Sequence, residues 1–314
     1  MKIRFALFTL VVLFFISCNS DNKKITIGIN QFAQHPILDE VYSGIKERLS
    51  KEKNIEIIYK VSNADINIST QINNQFVAND VSLIIALGTP VAQSAIKSTK
   101  TIPIVFGAIT DPVGAGLANS LDKPGGNKTG TTNRWPFEKQ VSLIKIIKPN
   151  VKNVGIIVNP GEDNCNFGMI YIKKALDFNK ISYTELPIMN TSEIMSVMSS
   201  LISKCDLLLI SPSNTVISSM PSIIKIANEN NVMVIGGDKS SVEKGSVISY
   251  AYDDHEIGIS TAEVAMKILN NKVNPGDLPV IQPPNAKIYF NQTSADKYKI
   301  SLPDSVKQQI FMKY

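Results

Sequence analysis

The 314 residues are 44% hydrophobic and 19% charged, enough apolar material for a packed core and, at ordinary domain sizes, for two lobes rather than a disordered chain. The formal charge of +5 falls by two, to +3, when Lys2 and Arg4 are set aside with the leader described next. The remaining lysines rarely cluster, and the missing basic stripe with interleaved aromatics excludes nucleic acid as the expected partner.

In chain order, Lys2 and Arg4 precede twelve uncharged, strongly apolar positions from Phe5 to Ile16, followed by Ser17, Cys18 and the polar "NSDNKK". This is the layout of a secretory signal, and the apolar run is short of the ~20 residues a membrane span needs. "FISC" at 15–18 resembles a bacterial lipobox, with Phe15 where Leu is commoner. On that reading residues 1–17 are a signal peptide, Cys18 is the lipid anchor, and 18–24 form a linker holding the exported protein to a membrane. The alternative is an ordinary signal peptide with an incidental cysteine. Cys165 and Cys205 could pair in an oxidising compartment, but their spacing carries no motif and also fits two small buried residues.

From Ile25 onward, short β-branched runs alternate with amphipathic stretches. The strand candidates are "KITIGI" (24–29), "IEIIY" (55–59), "SLIIAL" (82–87), "IPIVF" (102–106), "NVGIIV" (153–158), "SYTEL" (182–186), "DLLLI" (206–210), "NVMVI" (231–235) and "SVISY" (246–250). Helical spacing marks "LDEVYSGIKERLS", "FEKQVSLIKIIK" and "PSIIKIANEN" between them. Strict βα alternation predicts an α/β fold of doubly wound parallel sheets with helices on both faces. Residues 82–111 and 206–238 share one plan: apolar strand, a turn with Ser/Thr and Pro, helix, second apolar strand, acidic residue. The chain therefore reads as two similar lobes, 25–130 and 131–250, joined by a multi-strand hinge. A long helix, 253–271, begins with Asp253 and Glu256 as a capping box and returns to the first lobe, and part of 280–314 returns to the second. Crossings are expected near Gly130 to Arg134, near Ala251 and near Pro283.

Catalytic signatures are scarce. The chain has two histidines, His35 and His255, and no Gly-x-Ser-x-Gly elbow or Cys/His pair at a credible position. "DDHE" (253–256) spreads its side chains around a helix start and fits capping better than a metal site. "GAGLAN" (114–119) lacks the third glycine of a dinucleotide loop, and no phosphate-loop lysine motif occurs. What stands out is polar residues at strand ends. Thr89 sits beside the amides of a helix starting near Pro90, Asp111 follows the next strand, and Glu162 lies in "NPGED". Ser213, Asn214 and Thr215 follow "LLLI", and Asp238 follows "VMVIGG". Singly each fits a cap or turn; together they surround one cleft with amides, hydroxyls and carboxylates, a set suited to a zwitterion. Phe32, Phe106, Trp135 and Tyr252 lie beside these turns or crossings and could form aromatic walls.

These segments resemble the substrate-binding lipoproteins of ABC transporters of the tryptophan/tyrosine type, and the resemblance runs over nearly the whole mature chain. It rests on "QHPILDEVYSGIKERL" (34–49), "ALGTPVAQSA" (86–95), "IPIVFGAITDPVGAGL" (102–117), "KPGGNKTG" (123–130), "NPGEDNC" (159–165), "SPSNTV" (211–216) and "GGDKSSVEKGSVISYAYDDHEIG" (236–258). The resemblance implies a type 1 periplasmic-binding-protein fold that closes on an amino acid, aromatic ones favoured, and passes it to a permease and its ATPase. It implies no enzyme activity, cofactor or metal. Carried over by position, Gly88 and Thr89 with the adjoining amides would hold the ligand carboxylate, and Asp111, Glu162 or Asp238 its ammonium. Two departures bear on the ligand: Ser213 stands where members commonly have Asp, and "IGGD" opens the approach to Asp238. A sensor lipoprotein reporting to a membrane receptor is the alternative, and an exported enzyme using the three acidic residues is a weaker one. A transcription factor of similar fold conflicts with the leader and the missing DNA-binding headpiece.

Overall fold

The computed structural model describes residues 24–283 and 285–314. The signal segment 1–17, Cys18 and all of the 18–24 linker except Lys24 lie outside the described residues.

In the first lobe, β1 (Ile25–Gln31), β2 (Ile55–Val61), β3 (Leu83–Leu87), β4 (Ile104–Ile109) and β5 (Lys128–Thr132) pair in the order β2-β1-β3-β4-β5, all parallel. β3 occupies the middle, and its unbroken apolar sequence is buried at every residue, as a strand covered on both faces requires. Crossover helices α1 (Pro36–Leu49), α2 (Ile66–Ala78) and α3 (Thr89–Ser98) follow β1, β2 and β3. Their starts therefore gather at the carboxyl edge of the sheet, where open α/β sheets take ligands. β5 reads "KTGTT" and is buried through smallness rather than hydrophobicity. A Cβ on Gly130 would stand 1.9 Å from the Phe106 carbonyl oxygen, so only glycine admits the neighbouring strand.

The second lobe contains α4 (Phe137–Ile147), β6 (Asn153–Val158), α5 (Asp163–Phe178), β7 (Ser182–Pro187), α6 (Ile194–Leu201), β8 (Leu207–Leu209), α7 (Asn214–Ser218), α8 (Met220–Glu229), β9 (Met233–Ile235), α9 (Lys239–Glu243) and β10 (Ile248–Ala251). Strands β7-β6-β8-β9 form a parallel sheet. Bonds from Val247 N to Val234 O (2.8 Å) and Gly236 N to Ile248 O (3.0 Å) continue it into β10. After α10 (Asp254–Asn271) the chain adds β11 (Lys287–Phe290), α11 (Gln292–Lys297), α12 (Asp304–Lys307) and β12 (Ile310–Lys313). β11 runs antiparallel to β10 and parallel to β12, the one reversal in an otherwise parallel design among the described residues.

Helix α10 packs on the first lobe. A Cβ on Gly258 would lie 2.0 Å from the Val41 carbonyl oxygen, and one on Gly44 would lie 2.1 Å from that of His255, so the two backbones touch where these glycines face. Asp253 caps α10 by accepting from the amides of His255 (3.1 Å) and Glu256 (3.4 Å), which settles "DDHE" as a helix start. The chain thus passes between the lobes at Asn133–Pro136, at Tyr252–Asp253, and between Ile281, which bridges Thr131, and Lys287. Hinge closure would bend at these crossings, which lie at the ends of elements. Cys165 and Cys205 are free, and burial pushes both thiols up to about 11, so neither is a ready nucleophile.

Candidate ligand-binding cleft

The carboxyl edges of the two sheets face each other across a narrow, partly open cavity. On the first-lobe side the chain leaves β3 through Gly88, whose φ of +95° is costly for other residues, and enters α3 at Thr89. This helix start has no side-chain cap. First-turn amides lack intrahelical acceptors, and the helix dipole adds partial positive charge there. Thr89, only 3% exposed, is the first residue of this helix, and both Gly88 and Thr89 line the cavity. Beside them the β4–β5 register slips between Phe106 and Ile109, and Ala108 takes a left-handed φ of +58°. The slip brings Ala108 and Thr110 into the cavity wall; a strained alanine at such a position is typical of binding sites.

The second-lobe wall is organised by one buried carboxylate. Glu162 Oε1 accepts from Thr215 Oγ1 (2.6 Å), Thr215 N (3.0 Å), Ser213 Oγ (3.0 Å) and Asn159 Nδ2 (3.3 Å). Its Oε2 accepts from Asn214 N (2.7 Å), Asn214 Nδ2 (3.0 Å) and Asn164 Nδ2 (3.1 Å). A carboxylate this fully engaged is an acceptable buried charge, and it occupies the start of α7, the counterpart of α3. Ser213 completes the turn by accepting from Val216 N at 3.3 Å. An Asp there would set a second carboxylate against Glu162.

Among the described residues, two side-chain hydrogen bonds join the lobes across the cleft. His35 Nδ1 accepts from Leu38 N at 3.5 Å, so the proton sits on Nε2, which donates to Asn214 Oδ1 at 3.1 Å. Burial pushes the His35 pKa below its ordinary 6.5, in keeping with a neutral ring. Nearer the surface, Gln93 Nε2 donates to Asp163 Oδ2 at 2.7 Å.

Of the other residues singled out in the sequence, Asn214 lines the cavity, while Glu162, Ser213 and Thr215 stand behind it as its support. Asp238 is buried and caps α9, accepting from Ser241 N (3.0 Å), Ser240 Oγ (2.5 Å) and Ser241 Oγ. The space left by "IGGD" is filled: a Cβ on Gly237 would fall 1.9 Å from the Trp135 ring. Asp111 lies outside this cavity, in an adjoining groove that shares Thr89 and Asn164 with it and also includes Asp163 and Asn166, and accepts from Val113 N at 3.2 Å. Trp135 lines the cavity; Phe106 is in the first-lobe core, Phe32 packs on Gly88, and half-buried Tyr252 packs against that core. The residues that pattern reasoning missed are Ile37, Leu38, Ala108, Thr110, Asn133, Asn164, Pro212 and Ile217, and it did not assign His35 to the site. One signal was available: His35-Pro36 precedes α1 as Thr89-Pro90 opens α3, each just past a strand end.

The sequence profile of a family described as ABC transporter substrate binding protein matches residues 26–312. The chain belongs to that family. This substrate-binding protein is 34% identical over 297 residues to the tyrosine-binding protein of Clostridioides difficile (strain R20291), a match covering 92% of this chain and 86% of that one. Its fold superposes on a Streptococcus pneumoniae ABC domain in complex with L-Trp with a TM-score of 0.89 at 30% identity, over 93% of this chain and all of the other. Against the ligand-free, open structure of a Clostridium difficile substrate-binding protein, 33% identical, the TM-score is 0.69 over 92% and 98% of the two chains. The fold superposes better on the L-Trp complex than on the open structure, and here the His35–Asn214 and Gln93–Asp163 bonds join the lobes. A leucine-binding protein from Thermotoga maritima, 11% identical with a TM-score of 0.59, shares the fold alone.

Proposed function

We propose that this substrate-binding protein captures an aromatic amino acid, tyrosine or tryptophan, outside the cytoplasm and delivers it to a membrane permease driven by an ATPase. The observation that carries the reading is an uncapped helix start, α3, opening into the cavity between the lobes. The ligand carboxylate is received by the free first-turn amides and the Thr89 hydroxyl, an anion site of the ordinary helix kind. The equivalent position on α7 is taken by Glu162, so the ligand has one carboxylate seat. The ring lies among Trp135, Ile37, Leu38 and Ile217, apolar side chains that supply burial and, from Trp135, stacking. The known ligands of the relatives, tyrosine and L-Trp by name, agree with that lining.

Capture works by population shift. A ligand seated first on one lobe gains contacts from the other only on closure, and ~5.5 kcal/mol of preference for the closed form carries the hinge from mostly open to mostly closed. The interlobe bonds of His35 and Gln93 form at the same time, giving the permease a shape that reports occupancy. Acylated Cys18 keeps the protein at the membrane where the permease sits. No bond of the ligand is broken. The test is a thermal-shift screen over the amino acids followed by calorimetry. Tyrosine or tryptophan raises the melting temperature of the parent, and Thr89→Ala weakens that binding about tenfold, the worth of one charge-assisted hydrogen bond. A parent that responds to neither amino acid, but does respond to another small solute, overturns the assignment.

A further inference from the structure

Among the described residues, two side-chain oxygens in the cavity wall have nothing to accept. Asn133 Oδ1 and Asn164 Oδ1 are buried without a hydrogen-bond partner, each residue is 6% exposed, and both line the cavity. Buried carbonyl oxygens rarely go unpaired, so a matched pair around one cavity calls for a donor. Asn164 is not misoriented: its Nδ2 donates to Glu162 Oε2 at 3.1 Å and to the Pro212 carbonyl at 2.6 Å, which fixes Oδ1 as the free end. Donation to a carboxylate also draws negative charge onto that oxygen. Asn133 stands where the chain leaves β5, held by its amide on the Ile109 carbonyl at 3.1 Å. One oxygen thus belongs to the first crossing of the hinge and the other to the second lobe. The acidic residues are otherwise engaged: Glu162 and Asp238 accept from their own lobe, and Asp111, in the adjoining groove, accepts from Val113 N at 3.2 Å.

Building on the amino-acid reading, we propose that Asn133 Oδ1, on the hinge, and Asn164 Oδ1, on the second lobe, together receive the ligand's ammonium group, in place of any direct carboxylate partner. The carboxylate end is then seated by the first lobe alone, and the ammonium end ties the lobes together. The charge is balanced at one remove, through Asn164 to Glu162.

The test pairs two ligands with two variants. L-tyrosine and its des-amino analogue, 3-(4-hydroxyphenyl)propionate, are titrated calorimetrically into the parent, Asn133→Leu and Asn164→Leu, with weak cases read by competition. Asn133 makes no side-chain hydrogen bond among the described residues, so Asn133→Leu removes the acceptor without costing the fold one; the melting temperature of each ligand-free variant checks this. The expected result is a 10- to 100-fold loss for L-tyrosine in each variant, the range for a hydrogen bond to a charged group, with the analogue changed less than about threefold. Equal losses for both ligands, or an unchanged L-tyrosine affinity in Asn133→Leu, overturn the proposal while leaving the amino-acid reading intact. A parent that binds neither L-tyrosine nor L-tryptophan defeats that reading first, and this one with it.

Discussion

Replacing Glu162 by Gln changes one oxygen to an NH₂ group and should unsettle the whole second-lobe wall. Seven hydrogen bonds converge on the carboxylate, four on Oε1 and three on Oε2. If the new NH₂ faces Asn164 and Asn214, three N–H donors that cannot turn away meet a donor. If it faces the other side, the hydroxyls of Ser213 and Thr215 can rotate and accept from it, and Asn159 Nδ2 keeps Thr215 Oγ1 (2.9 Å) and the Met189 carbonyl (3.5 Å) as acceptors, but Thr215 N is stranded. The better orientation therefore leaves one buried donor unpaired, a loss of about 1–3 kcal/mol against a typical total of 5–15 kcal/mol. Urea unfolding of the ligand-free protein at pH 7 measures it, taking the second-lobe transition. A Glu162→Gln variant within about 0.5 kcal/mol of the parent would refute the view that this carboxylate organises the wall.

Three further outcomes follow from individual contacts. His35 is neutral in the closed cleft with its pKa held below 6.5 by burial; closure therefore excludes a proton, and affinity should fall as pH drops below 6.5, by up to ~tenfold per unit. Asn at position 35 can still cap α1, so His35→Asn should flatten that acid limb in calorimetric titrations between pH 5 and 7. Asp254 is buried with its pKa raised well above 3.8, by desolvation first and then by Asp238, Asp253 and Glu40. The folded state keeps a proton that the unfolded state releases, so stability falls as pH rises above 3.8, by up to ~1.4 kcal/mol per unit. Asp254→Asn should melt higher than the parent at pH 8 and close to it at pH 3.5, by scanning calorimetry. Gly258→Ala would drive a methyl into the Val41 carbonyl; separating α1 from α10 should cost about 1–3 kcal/mol and lower the melting temperature by several degrees.

Elements whose side chains announce their environment could be read from the sequence. "SLIIAL" and "NVGIIV" are buried on both faces and say so; Asp253 declares a helix start because its chemistry has little use mid-helix. β5 carried no such signal, since "KTGTT" is buried by size, and β11 and β12 are four-residue strands whose pairing depends on partners far away in the chain. In the cleft, Thr89 and Asn214 could be found as polar residues just past apolar strands. Ala108 could not, because its position follows from a register slip, nor could Asn133 and Asn164, whose significance is an unpaired oxygen that exists only once the neighbours are in place. Asp238 shows the converse: its location after a strand was clear, but its oxygens are spent on the serines that follow it.

The engaged start of α7 has a consequence for delivery. Two lobes of one design, facing each other, create a cleft with near two-fold symmetry, and a symmetric cleft accepts an asymmetric guest either way round. Glu162 acts as a resident copy of the guest's own anion in one of the two equivalent berths. On the proposed reading, that filled berth denies the flipped pose its seat, and each cargo molecule would be presented with the same end forward.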